Sequence, residues 1–428
     1  STAETLTAEV LPLLDACRFL ERRARPLLAP RRPGLRGRPA WLVGSRLEIH
    51  RDPLGVVLVI GPSNYPILLA GVQLLQALVA GNAVVVKPGR DGFAAMRLLA
   101  DLLADSGLPK DVLHVLPEDV EGAVSALEEG VDKVVLTGSR GTGRAVMRRL
   151  AETATPAVME LSGCDAVIVR ADADLSMAAD AVAFGMHLNG GFTCIAPRRL
   201  LVDRSVAESF VGELGRRLAG RDSTDLPADT ADALARDVEA ALARGGRVLA
   251  GGVDPVKPLL LAGVSERDML RIADIPAPCA AVFEISGDDE ALERVSAGRF
   301  RLGVSIFGAP RASRALARRV DAGVVVVNDV IVPTADPRAP FGGRGASGFG
   351  VTRGAEGLLE MTATKTLIQR SGRLRPHYDP VGEADAPLFE SFIQLCHGPG
   401  AGRLGALGRL LRLGREKTER EKADRGTS

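Results

Sequence analysis

At 428 residues the chain exceeds what one ordinary core holds, so two or three domains are expected. Its 46% hydrophobic and 25% charged residues are those of an ordinary globular protein. Fifty-four basic against fifty-three acidic residues leave a net charge of +1, which gives no electrostatic case for nucleic acid or for a strongly acidic partner.

Ser1 to Val10 carries acidic residues and no basic-then-apolar pattern, so no secretory signal is expected there. Val56 to Ile60 is a continuous apolar run ended by a Gly-Pro turn. A helical stretch from Pro66 to about Val79 follows. Its apolar part, Ile67 to Ala80, is too short to span a bilayer and contains Gln73 and Gln76. Then come a strand at Ala83 to Val86, a helix from about Phe93 to Asp105 and a strand at Val112 to Leu116. A helix near Asp119 to Glu129, a strand at Lys133 to Leu136 and a helix near Arg140 to Glu152 complete the run. Apolar strands alternating with amphipathic helices predict a parallel sheet covered on both faces, and right-handed crossovers make it a doubly wound, Rossmann-like, nucleotide-binding type. The alternation resumes from Ala166 through Val202, with a helix at about Leu175 to Asn189, and again from about Ala280 to Val327. A second α/β domain is predicted. Segments 40–51 and 362–370 read as paired strands outside both domains. After Gly398-Pro399-Gly400, Leu404, Leu407 and Leu411 stand at helical spacing among Arg403, Arg409, Arg412 and Arg415. A basic amphipathic helix of this kind lies on an anionic membrane or docks into a partner groove. Gly405, Gly408 and Gly414 weaken the helix and favour a solvated tail instead.

Cys17, Cys164, Cys194, Cys279 and Cys396 are odd in number and contain no CxxC pair, which argues for a reducing compartment, the cytosol. The five histidines lack metal-ligand spacing, so no metal is expected. Cys194, in Asn189-Gly190-Gly191-Phe192-Thr193-Cys194, follows Glu160 by thirty-four positions, with one long helix between them. A thiolate can add to an electrophilic carbonyl and hold the product as a thioester, while a carboxylate can activate the water that releases it. A lone cysteine is more often a small buried hydrophobe, so other residues must decide between the two roles.

Three local features sit where this fold places chemistry, at the carboxyl ends of strands. Thr137-Gly138-Ser139-Arg140-Gly141-Thr142-Gly143 links a strand to a helix, so a pyrophosphate could approach its glycines and the helix N-terminus. A turn with an N-cap explains the same residues. In Gly61-Pro62-Ser63-Asn64-Tyr65-Pro66 the Asn64 amide could donate to an oxyanion or serve as a cap. Lys87, before Pro88, could meet a cofactor ribose or phosphate or lie solvated.

These motifs together with Gly81-Asn82-Ala83, Met159-Glu160-Leu161-Ser162-Gly163, Val327-Asn328, Pro340-Phe341-Gly342-Gly343 and Ser347-Gly348 resemble the aldehyde dehydrogenase superfamily in order and spacing, from about Arg46 to Leu367. The compact N-terminal region is like that of its class 3 members. The resemblance implies two doubly wound parallel-sheet domains plus a small oligomerisation β extension. Their expected bounds are 1–160 for cofactor binding, with 38–52 in the extension, and 161–361 for catalysis. An oligomerisation strand and arm at 362–396 and a basic amphipathic or disordered tail at 397–428 would follow.

It also implies oxidation of an aldehyde by NAD or NADP in a homodimer. Cys194 would attack, Asn64 and the Cys194 amide would hold the oxyanion, and Glu160 would activate water. Cofactor contacts would come from Ser63, Lys87, Arg90, Gly138, Ser139, Gly143 and Asp274. Asn328 and Phe341 would belong to the shell of the active site. The chain departs from the family pattern at Gly89-Arg90, Cys164, Phe192 and Asp274-Ile275-Pro276. Arg90 in place of an acidic residue is expected to admit the 2′-phosphate of NADP. The alternatives are a coenzyme A-acylating enzyme, against which Glu160 argues because that branch lacks it, and a non-catalytic scaffold. Medium-sized aliphatic or aromatic aldehydes are the expected substrates.

Overall fold

The computed structural model describes residues 2–426 apart from Asp274, Leu374 and Asp379, with side chains described as far as Arg420 apart from Pro376. The chain forms two units. One consists of Ser1–Ala29 with Arg51–Thr364, the other of Pro30–His50 with Lys365–Ser428.

The first unit holds two large sheets. In the six-stranded sheet Val56–Ile60 lies between Ala83–Lys87 and Lys133–Thr137, with Leu113–Val115 at one edge and Ala157–Glu160 then Gly348–Phe349 at the other. All neighbours are parallel except the last pair. Continuous valine- and leucine-rich runs form these strands because both faces are covered, and Val57, Leu58 and Val59 are fully buried. The seven-stranded sheet runs Val324–Val327, Gly303–Phe307, Asp165–Val169, Pro197–Asp203, Cys279–Ile285, Val256–Ala262 and Arg247–Val253. Only its last strand pairs antiparallel. The two doubly wound sheets expected from the sequence are therefore present. Residues 348–361 return to the first sheet. Gly348–Phe349 joins its edge, and Leu358 and Met361 pack in its core.

Most element ends follow the sequence, and the exceptions have local causes. The helix expected from Pro66 begins at Leu68, where buried Glu9 accepts hydrogen bonds from the Ile67 and Leu68 amides (2.8 and 3.1 Å) and caps it. The helix expected to run to Asn189 stops at His187, because Asn189 and Gly190 take left-handed backbone angles. That break shapes the loop carrying Cys194.

Residues 45–50 and 365–370 of the expected strand pair, Ser45–Pro53 with Thr362–Arg370, belong to the second unit, and Ala40–Leu42 forms a short 3-10 turn before it. Helices Ala386–His397 and Gly400–Gly426 pack on one another, burying Ala406 completely. The solvated tail is thus an ordered helix: tertiary packing outweighs the glycines. Among the described residues no helix is long and apolar enough to cross a membrane.

Candidate active site

Sheet register gathers the site. Thr137 pairs with Glu160, and Glu160 pairs with Gly348, so the ends of three adjoining strands lie side by side. Glu160 is 4% exposed. One carboxylate oxygen accepts from the Thr137 hydroxyl (3.1 Å), which itself accepts from buried Gln73 (2.8 Å). The other oxygen accepts from the Thr352 hydroxyl. Burial pushes the Glu160 carboxyl above the usual range, while Arg353 and the two hydroxyls pull the other way. A raised carboxylate poised against water is what a general base near neutrality requires.

Cys194 lies between helix Leu175–His187 and strand Pro197–Asp203, on a loop held from two sides. From the first sheet, Asn64 Nδ2 donates to the Phe192 carbonyl (2.8 Å), and the Asn64 carbonyl accepts from Asn189 Nδ2 (2.7 Å). The Tyr65 and Thr193 hydroxyls share a hydrogen bond of 2.6 Å. From the second sheet, buried Arg198 donates to the carbonyls of Gly191 (2.6 Å) and Ala277. The Asn64 nitrogen carries two hydrogens and spends one on Phe192, so one remains for an oxyanion.

Cys194 is partly exposed. Its thiol is pushed up to about 12, by burial first, then by the charges of Asp165 and Glu160, with Arg353 opposing. Arg353 is therefore the cation acting on both Cys194 and Glu160. Its guanidinium donates to the Thr334 carbonyl (2.8 Å) and lies 4.9 Å from the Phe341 ring centre.

The expected cofactor residues cluster at the carboxyl ends of neighbouring strands of the first sheet. Lys87 ends its strand half-buried. Burial lowers its ammonium, against the pull of Glu118 and Asp119, and it donates to no acceptor among the described residues. A free donor there fits a ribose hydroxyl or phosphate. Arg90 is exposed and likewise without a partner, while Glu118 caps the next helix by accepting from the Asp91 and Phe93 amides. Ser63 and Gly89 are backbone neighbours: a Cβ on Gly89 would lie 2.4 Å from the Ser63 nitrogen. Ser139 caps helix Arg140–Thr153, accepting from the Thr142 amide (3.1 Å), and Gly138 donates to the Glu160 carbonyl (2.9 Å). Gly143 lets that helix approach the sheet, since a Cβ there would lie 2.6 Å from Leu161 Cδ2. Asp274 lies outside the described residues.

Comparison with known proteins identifies the family. The model of the aldehyde dehydrogenase family matches residues 1–367. The chain belongs to the aldehyde dehydrogenase family. This aldehyde dehydrogenase is 31% identical over 418 residues to a 4,4'-diapolycopene aldehyde oxidase of Methylomonas sp, covering 92% of this chain and 77% of that one. It is 32% identical over 381 residues to a putative succinate-semialdehyde dehydrogenase [NADP(+)] of Mycolicibacterium smegmatis, covering 84% and 72%. The structure of an NAD-dependent aldehyde dehydrogenase from Sinorhizobium meliloti superposes with a TM-score of 0.78 at 28% identity, over 86% of this chain and 76% of that one.

Several site residues of the dehydrogenase carry no local signal. Thr352 and Arg353 lie far along the chain from Glu160, and Arg353 adopts φ 59°, a left-handed angle unusual for arginine. Arg198 reads in the sequence as an ordinary strand-end charge. Cys164, by contrast, is 2% exposed within the core of the second sheet and fills space there. Asn328 ties down the turn at Gly308, exchanging two hydrogen bonds with its backbone (2.9 and 3.0 Å).

Proposed function

We propose that this enzyme oxidises an aldehyde to a carboxylic acid with NAD or NADP, through a thioester on Cys194. The observation that carries the reading is geometric: Asn64 is hydrogen-bonded to the loop that carries Cys194 with one amide hydrogen to spare, and buried Glu160 is held by two threonine hydroxyls. The Cys194 thiol gives up its proton to solvent, and the sulfur adds to the aldehyde carbon. The spare Asn64 hydrogen meets the oxyanion of the thiohemiacetal. The bound dinucleotide supplies the hydride acceptor, and its ribose and phosphates would rest on Lys87, Arg90, Ser63 and the Gly138-Ser139 turn. Glu160 then takes a proton from water, which attacks the thioester and frees the acid.

An open groove of about 930 Å³, lined by apolar and charged side chains, lies between helix Leu11–Leu28 and residues 332–338. Phe19, Ala335 and Pro337 continue from it into a narrow crevice that ends at Arg353 and Gly354, next to Thr352. Medium-sized aliphatic or aromatic aldehydes are the proposed substrates. NADP use is favoured by Arg90, exposed and unpaired at the turn after Lys87. The enzyme is a homodimer joined through the strand pair, where Leu47, Leu367 and Ile368 are exposed, and light scattering at micromolar concentration should show two subunits. The five unpaired thiols suit a cytoplasmic address.

The direct test is the absorbance of reduced cofactor across an aldehyde panel with NAD and with NADP, coenzyme A being added in parallel. Free acid and reduced cofactor without coenzyme A support the reading. Turnover that requires coenzyme A would refute it.

A further inference from the structure

The helix pair of the second unit leaves a broad apolar face exposed. The helices run antiparallel: Arg409 meets Gln394, whereas Lys417 and Arg420, farther along, meet the earlier residue Asp385. Ala406 is buried and Leu410 and Leu413 are half-buried on the longer helix, and Ser391 is buried and Leu388, Phe392 and Leu395 are half-buried on the shorter one, which marks the faces that meet. At about 100° per residue, Leu404, Leu407 and Leu411 lie about 120° round from that packed face. Phe389 and Ile393 lie displaced by about the same angle, in the same rotational sense, on the shorter helix. Equal offsets on antiparallel helices fall on one side of the pair. The hydrogen bond between Arg409 and Gln394 marks the opposite side. All five side chains are exposed, Leu404 by 82% and Leu411 by 61%.

We propose that this face docks on a bilayer surface bearing anionic headgroups. Two helices lying side by side present their apolar residues on one side of the pair, which suits a broad surface, whereas a partner groove takes the stripe of a single helix. The charge agrees with this occupant. Between Ala386 and Arg420 six basic side chains stand against three acidic ones. Arg403 donates to a neutral acceptor, the Gly398 carbonyl, and Arg415 meets no carboxylate among the described residues. A second copy docked by the same face would set these arginines against their own counterparts. Anionic headgroups would neutralise them.

Flotation of the whole protein with vesicles tests the proposal. The wild type should bind phosphatidylglycerol–phosphatidylcholine vesicles and not phosphatidylcholine alone, and added salt should release it. Changing Leu404, Leu407 and Leu411 together to Gln should lower the bound fraction by roughly tenfold or more. Gln is close to Leu in helix propensity and the packed residues are untouched, so circular dichroism and turnover of a water-soluble aldehyde should be unchanged. Arg403→Gln with Arg415→Gln should reduce the preference for the anionic vesicles. Absence of wild-type binding to anionic vesicles at low salt would overturn the proposal, as would full binding by the triple variant. Lipid-free self-association that the triple variant abolishes would overturn it too, by assigning the face to a second copy.

Discussion

Thr352→Val isolates the part of the site that sets the basicity of Glu160. Valine keeps the branched shape but removes the hydroxyl that donates to the Glu160 carboxylate, leaving Thr137 as the remaining hydroxyl donor. A hydrogen bond to a charged group is worth about 1.5–3 kcal/mol, and one pKa unit corresponds to about 1.4 kcal/mol. The lost bond stabilised the ionised form, so the carboxyl should rise further by about 1–2 units. Below the raised pKa the population of the base, and with it thioester hydrolysis, should then fall by up to roughly 10- to 100-fold. Stopped-flow absorbance of reduced cofactor should show a rapid burst followed by slow turnover at neutral pH. The acidic limb of kcat should move to higher pH, with activity recovering in alkali, and Thr352→Ser should restore the wild-type profile. A loss of equal size at every pH would refute the reasoning, since it would mark distortion rather than a shifted base.

The other predictions concern the cation, a buried acid and cofactor choice. Arg353→Met removes the charge that favours both the Cys194 thiolate and the Glu160 carboxylate. The pH profiles of kcat/KM and kcat should both move up, with partial rescue by Lys; movement in neither would exclude Arg353 from the electrostatics of the site. Asp165 is pushed up to about 8 by burial, and one of its oxygens has no hydrogen-bond partner. Its folded pKa lies above its unfolded one, so the folded state binds the proton more tightly, and stability is lost as pH rises from about 4 to about 8, by up to about 1.4 kcal/mol per pH unit. Thermal melts should show that slope in the wild type and a flatter one in Asp165→Asn; identical slopes would contradict the assignment. Arg90→Glu should lower kcat/KM for NADP relative to NAD, and a wild-type preference for NAD that the change fails to deepen would count against a phosphate contact.

The fold was largely legible because buried parallel strands require continuous apolar runs, such as Val56 to Ile60 and Lys133 to Leu136, and these run nearly to their observed ends. The sequence singles out Cys194 and Glu160 as candidates through their spacing and flanking motifs. The residues that tune them were not legible. Thr352 reads as a strand former, Arg353 as a surface charge and Glu9 as a solvated helical residue, and each gains its role only when distant segments meet. Pattern also could not decide the tail, because its glycines lower local helix propensity while the contacts that override them come from the preceding helix.

Covalent catalysis through Cys194 with release by Glu160 is tested most directly by intact-mass and peptide analysis of Glu160→Gln quenched during turnover with aldehyde and cofactor. The expected result is an acyl adduct on Cys194, formed with about one equivalent of reduced cofactor per site and absent from Cys194→Ala. An adduct at another residue, or full steady-state turnover by Cys194→Ala, would contradict the account.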